Sequence, residues 1–527
     1  MDTQKDAVAG AGLFESLGAA LRNFAGFVLV VSLVTAPWIY GSTRHRAIIL
    51  LCGLLTLMGS CWLVAKFLQK RKLELPGMVV FPILFLLLSG WLTVLTTTPF
   101  RREPFFLQHY ASLFERWPGS FMVITQVQAM WLYSGLLVGL LVVIDLSSDG
   151  RWKRAFFCTM AVTGASIVIL GILQAGLGAN AILGSTRTPV AGVFFATFFR
   201  HTIAGAFVNL VWPLAAALLV ATLCRLRNAR RPLLSVGLWG VLALAGLCGI
   251  AAQTSRFVQV NALIFAVSLA LWLRWRLKRE DLVPLAGRFA IFAAIAACAM
   301  SLTALRMTKT PEFAERWRAL EPLRLFSPSQ PAEREFQMRQ DGFIESTDPV
   351  AEGLLGPQRL AALTCLRMIP KAGLLGFGPG GWSLTYPRFT DDAFLSTFHL
   401  MMQFAHQDLL QAAVEWGLLG LACWMVLIAG GVRCGLRSLQ SCRRAGEAVG
   451  SEEAMTFGAI LSVCGVLWHG LIEFPLQVPS IQLYVSVLVG MLWTNSGYRS
   501  RRALPIPRSE PEAVADTERS ESPLTVR

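Results

Sequence analysis

His406 is the residue in this chain best placed to move a proton. A histidine titrates near neutral pH, so its uncharged ring can serve as a base there. It opens the stretch 405–420, "AHQDLLQAAVEWGLLG", where a long polar segment gives way to an apolar run. That position predicts a helix entering a membrane. Read as one uninterrupted helix at about 100° per residue, the stretch sets Gly417 and Gly420 within about 40° of His406. Asp408, Gln411 and Glu415 then share the opposite face, and Gln407 stands beside the histidine. A glycine face and a polar rear stripe predict packing on both sides rather than contact with lipid.

Fixed positive charge is the second ingredient. Arg256 sits in a tight turn, Gln253–Thr254–Ser255–Arg256–Phe257, between two apolar runs. Ionisable residues at a membrane edge are costly and so point to function, while snorkelling to lipid headgroups is the structural alternative. Arg359 falls in a stretch where Pro357 suits a first helical turn and where Arg359, Leu363 and Leu366 recur on one stripe ending near Ile369–Pro370. After it comes Gly376–Phe377–Gly378–Pro379–Gly380–Gly381, either a plain turn or a nest of amides able to cradle phosphate. Arg200–His201 precedes another apolar run and reads first as a headgroup anchor, with an anionic ligand as the alternative. His469 and Glu473, one turn apart, predict a structural ion pair, or else a second acid–base site.

The elements that must carry these residues are membrane helices. The chain has 527 residues, 54% hydrophobic and 15% charged, a balance foreign to a soluble domain. About twelve apolar runs of about 20 residues recur: near 24–40, 47–67, 77–97, 128–147, 155–175, 203–223, 233–252, 257–273, 288–305, 409–430, 456–475 and 479–495. The fold class expected is all-α, a polytopic membrane protein. It comprises transmembrane helices 1–9 over 1–305, a large outer loop over 306–408, helices 10–12 over 409–497, and a disordered cytoplasmic tail over 498–527. The first run lacks an n-region and a cleavage site, so it reads as a retained helix rather than a signal peptide.

The net charge of +15 lies mostly in alternate short loops, such as Lys66/Lys70/Arg71/Lys72 and Arg274/Arg276/Lys278/Arg279. That alternation is an orientation signal, not a nucleic-acid footprint, and it predicts both termini in the cytoplasm. The outer segment 98–127 carries Arg101, Arg102 and an aromatic run, either an interfacial helix or an aromatic belt. The middle of the large loop, Ser327 to Gly353, and the segments 431–455 and beyond Arg501 read as flexible. Of the 11 cysteines only Cys365 lies in the large loop, with no CxxC pair, so neither a disulfide framework nor a zinc site is expected.

Taken together, these features resemble the O-antigen ligase and O-antigen polymerase superfamily. That family's pattern of His, then Asn, Ser or Gln, nine residues, then Gly-x-x-Gly is matched by His406, Gln407, Gly417 and Gly420. Leu374 to Gly380 resembles its "PLLGxGxG" turn, Ser255–Arg256 its "SR", Arg359 its loop arginine, and His469–Gly470 through Glu473, Pro475 and Pro479 its following helix. The likeness runs from about Phe194 to Gly490 and is densest between Arg359 and Gly420. The charged insertion at Ser327–Gly353 departs from it.

The resemblance implies about 12 transmembrane helices with one large, partly helical periplasmic loop in the bacterial inner membrane. It implies inverting, metal-independent transfer of a glycan from an undecaprenyl-diphosphate donor to a glycan or lipid A-core acceptor, without a cofactor. His406 would be the base, Arg256 and Arg359 would bind the diphosphate, and Gln407, Glu415, Gly417 and Gly420 would support them. Arg200, His201, His469 and Glu473 are further candidates. A flippase for the same lipid-linked sugars is the other class. It would favour deep intramembrane charges and an internal repeat, and the chain has no evident repeat and few such charges beyond Glu415 and Glu473.

Overall fold

A computed structural model describes residues 2–70, 75–96, 123–179, 181–184, 194–225, 233–252, 255–277, 279–307, 356–389, 403–446 and 449–495. Among these residues the regular structure is helical, apart from one isolated bridge between Phe195 and Phe198. The long helices are α1 (Asp2–Trp38), α2 (His45–Leu68), α3 (Gly77–Leu95), α4 (Val123–Leu146), α5 (Gly150–Gly176), α6 (His201–Arg225) and α7 (Leu233–Ala252). They are followed by α8 (Arg256–Arg276), α9 (Arg279–Met307), α10 (Gly356–Ala372), α11 (Asp408–Ala445), α12 (Ser451–His469) and α13 (Pro479–Thr494). Inside a bilayer a backbone can satisfy its polar groups only within itself, and these apolar runs do so as helices.

Nine of the described helices, α1 to α8 and α11, are long and apolar enough to cross a membrane. The other three expected crossings are also helical but fall short of that measure. The apolar part of α9 is Ala290–Thr303, α13 has 16 residues, and α12 spends its first turn on Glu452 and Glu453. The segments 98–122 and Ser327–Gly353, and the tail after Arg501, lie outside the described residues.

α6 is the central column, its crossing segment wholly buried, with α5, α7 and α12 against it. α11 packs on α3 and α13, and α10 docks on α11. Two clusters of charge tie one set of helix ends together. Asp145, closing α4, accepts from Arg22 Nε of α1 at 2.9 Å and Lys66 Nζ of α2 at 2.7 Å. Arg276, closing α8, forks onto Glu453 of α12 at 2.5 and 3.1 Å, the planar geometry a guanidinium offers a carboxylate. The opposite ends of these helices are therefore free to gather elsewhere.

Two expectations are corrected. The stretch 431–455 is not a flexible loop up to Ala445. Helix α11 continues through it with Leu439 buried, Arg443 and Arg444 in its last turn, and Gly446 in the left-handed conformation that ends a helix. In α10 the stripe of Arg359, Leu363 and Leu366 is not the buried face. Leu363 and Leu366 are exposed, while Ala361, Cys365, Met368 and Ala372 are buried, and the helix runs on through Pro370 to Ala372.

Candidate functional site

His406 is not on the helix it precedes. α11 starts at Asp408, and Gln407 is its N-cap, with the side-chain oxygen accepting from the Leu410 amide. Gln407 thus caps the helix rather than orienting the imidazole. His406 takes a left-handed φ of 51°, a conformation disfavoured for a residue with a β-carbon. Its neighbours hold that kink in place. Ala405 N donates to Gln411 Oε1 at 2.9 Å, and Asp408 N donates to Gly470 O at 2.8 Å. The buried Asp408 carboxylate accepts from Leu476 N at 2.9 Å and Gln477 Nε2 at 3.1 Å.

The ring itself meets Glu473, with Nδ1 and Oε2 3.2 Å apart, and stands edge-on to Phe474 at 4.8 Å between centroids. A carboxylate beside Nδ1 favours the neutral tautomer that carries its proton there, which would leave the Nε2 lone pair available. The expected pairing of Glu473 with His469 is replaced by this one. His469 is fully buried, edge-on to Phe257 at 5.1 Å, and neither ring nitrogen has a hydrogen-bond partner among the described residues. In the turn that follows α12, Glu473 N donates to His469 O at 3.1 Å while its carboxylate reaches His406.

Gly417 and Gly420 do not form a smooth face with His406, because α11 is broken at Gly417 (φ 65°, ψ 179°). The glycine-rich turn fills the break. Phe377 N donates to Val414 O at 3.0 Å and Gly378 N to Glu415 O at 2.8 Å. In return Leu418 N and Leu419 N donate to Gly373 O and Leu374 O, each at 3.3 Å. A β-carbon on Gly417 would strike the Leu374 backbone, and one on Gly376 the Glu415 carbonyl. Gly420 packs against Trp416 and Leu86.

The turn's amides are occupied by protein. The buried Glu415 carboxylate accepts from the Gly380 and Trp382 amides, the latter at 3.3 Å, and from Gln411 Nε2 at 3.1 Å. The nest therefore cradles a carboxylate of its own chain, not phosphate. Asp408, Gln411 and Glu415 form a buried polar stripe, as their spacing predicts.

His406 opens onto a cavity of about 260 Å³ that communicates with solvent. Its polar lining includes Arg200, Gln403 and Gln477, and its aromatic lining Phe199, Phe404 and Phe474. The Arg200 guanidinium lies over the Phe474 ring, 5.3 Å from its centroid, on the ring that also touches His406. Six non-glycine residues among those described have positive φ, and four of them (Tyr40, Ser42, Ala196 and His406) lie in or next to three of the four segments that wall this cavity. Strained backbone concentrated around one hollow is a mark of a functional site.

A second cavity, of about 110 Å³, is apolar for most of its lining, with Leu136, Trp424 and Val489 along it and Asp408, Glu415 and Gln477 among its polar groups. Gln477 lines both cavities.

The remaining candidates are placed less fully. Arg256 is the first residue of α8 and Arg359 lies in the first turn of α10, but both side chains lie outside the described residues. Arg256 is followed at once by Phe257, which packs on His469. His201 begins α6, half-buried, directly after Arg200. Sequence reasoning missed Phe474 and Gln477 altogether and gave Arg200 to lipid headgroups. The run Glu473–Phe474–Pro475 was visible, but its partner lies 67 residues away. No protein-family model and no curated protein matches this chain.

Proposed function

We propose that this protein is a glycosyltransferase of the O-antigen ligase and polymerase kind. It would move a glycan from an undecaprenyl-diphosphate donor to an acceptor sugar hydroxyl at the outer face of the bacterial inner membrane. The product would enter lipopolysaccharide or exopolysaccharide synthesis. In this reading the chain crosses the membrane twelve times with both termini cytoplasmic, and no metal takes part.

The observation that carries the reading is the His406–Glu473 pair, 3.2 Å apart, in a solvent-open cavity that also holds Arg200. His406 Nε2 takes the proton of the acceptor hydroxyl as its oxygen attacks the anomeric carbon. The bond from that carbon to the diphosphate oxygen breaks, and the configuration inverts. Glu473 stabilises the imidazolium that forms, and arginine offsets the charge gathering on the diphosphate. Arg200 is the cation in the cavity, and Arg256 and Arg359 are the further cations this reading assigns to the leaving group. The apolar cavity that shares Gln477 suits the isoprenoid chain.

The test supplies purified protein with a lipid-diphosphate glycan and candidate acceptors, in chelator. Transfer should persist in chelator and vanish in His406→Ala, a loss of about 10²–10⁴ in rate. Undiminished transfer by His406→Ala would sink the proposal, and dependence on added metal would remove the leaving-group role from the arginines.

A further inference from the structure

Behind one wall of the His406 cavity, where Phe198 and Phe199 line it, stand residues that no step of the transfer chemistry uses. Tyr40, Gly41 and Ser42 form three successive left-handed residues (φ 53°, 60° and 58°) between α1 and α2. Only the glycine adopts that conformation without cost. The turn is tied down from two sides. Ser42 Oγ donates to Ala36 O at 3.0 Å, and Thr197 Oγ1 reaches across to donate to Pro37 O at 2.7 Å. A β-carbon on Gly41 would come within 2.7 Å of the Phe198 ring.

This turn sets Tyr40 parallel to Phe199, with centroids 5.5 Å apart and planes at 12°. Arg44 then lays its guanidinium over both rings, 3.7 Å from the Tyr40 centroid and 5.4 Å from that of Phe199. A cation over stacked rings fixes them. Phe199 is left half-buried and lining the cavity, beside Arg200 and facing the same space as Gln403, Gln477 and His406.

Aromatic faces combined with neutral amide groups suit one ligand class, a sugar ring. The C–H groups of a pyranose carry partial positive charge toward the negative face of an aromatic ring, and its hydroxyls need donors and acceptors that amides supply. An alkyl chain would offer nothing to the Gln403 amide or to the part of the Gln477 amide that Asp408 does not hold. We propose that Phe199, held by Tyr40 and Arg44, is a stacking platform for the acceptor sugar, with Gln403 and Gln477 bonding its hydroxyls. The sugar is the acceptor's because the ring nearest His406 Nε2 must present the attacking hydroxyl. The proposal rests on the transfer reading above.

Two arms test it. In the first, the photo-reactive amino acid benzoylphenylalanine replaces Phe199 in the full chain, in cells that make the natural glycan. Ultraviolet capture should give adducts with the mass of a saccharide. The same residue placed at the exposed Phe81 of α3 should capture only acyl lipid. Acyl lipid alone at position 199 would overturn the platform. In the second arm, membrane vesicles holding the natural donor receive graded amounts of acceptor glycolipid from a strain lacking this protein.

Phe199→Leu should raise the acceptor concentration for half-maximal rate about tenfold, with the maximal rate within about twofold, and Phe199→Tyr should restore it. An unchanged half-saturation in Phe199→Leu would overturn the platform while leaving transfer intact. Wild-type vesicles that make no product would instead refute the transfer reading, and the saccharide adduct at position 199 would still decide the sugar site.

Discussion

At the scale of residues, the site depends on one imidazole held by a backbone kink and one carboxylate. Glu473→Gln keeps a hydrogen-bond acceptor 3.2 Å from Nδ1 but removes the charge that offsets the imidazolium. On the transfer reading the rate should fall by roughly tenfold to a hundredfold, less than in His406→Ala, because base catalysis would be weakened rather than lost. Initial rates on purified protein measure this, and a Glu473→Gln enzyme as fast as wild type would detach the carboxylate from the mechanism. Cys365 gives a separate expectation. Its thiol is fully buried, accepts from Trp382 Nε1 at 3.1 Å, and is pushed by burial up to about 12. The folded protein should leave it unlabelled by a maleimide at pH 7, with labelling only on unfolding. What covers it, Trp382 and its stacked neighbour Tyr386, belongs to a turn whose docking no local pattern reveals.

At the scale of elements, the feature that organises the site is the break in α11. Gly417 sits at φ 65°, ψ 179°, a region open to glycine almost alone, and the four exchanged backbone bonds with 373–378 replace those the helix gives up. Gly417→Ala should therefore cost about 1–3 kcal/mol for conformation alone and more for the clash with Leu374. Folded yield and melting temperature in detergent should drop sharply. Gly373→Ala is the control, since it is also left-handed (φ 61°) but a β-carbon there meets open space, so its loss should be about 1–2 kcal/mol. Equal melting of Gly417→Ala and wild type would mean the break is not required.

The helix itself was legible in the apolar run after Asp408, and so was the buried stripe of Asp408, Gln411 and Glu415. The break was not. A wheel drawn at a fixed angle presumes unbroken helix, and nothing local marks "GLLG" as the partner of "LLGFGPGG" rather than a close-packing face.

At the scale of the molecule, the two ends of the bundle differ in kind. One end is closed by paired charges, Asp145 with Arg22 and Lys66, and Arg276 with Glu453. The other gathers the C-terminal end of α1, the N-terminal ends of α2, α6, α11 and α13, and the turn after α12 around the His406 cavity. Twelve apolar runs announced the helices, because hydrocarbon demands an internally satisfied backbone. They could not announce which loops would meet, since that follows from packing around α6. The basic loops belong to the closed end, so the positive-inside rule predicts that the cavity faces outward.

Thr43, exposed on the cavity rim, and Arg444, exposed near the C-terminal end of α11, test that orientation directly. Thr43→Cys should react with a membrane-impermeant maleimide added to spheroplasts. Arg444→Cys should react only once the membrane is opened, judged against the unsubstituted chain as background. The reverse pattern would turn the cavity toward the cytoplasm, where a glycan presented on the outer leaflet could not reach His406. The transfer reading would then fail on topology alone, whatever the chemistry of the pair.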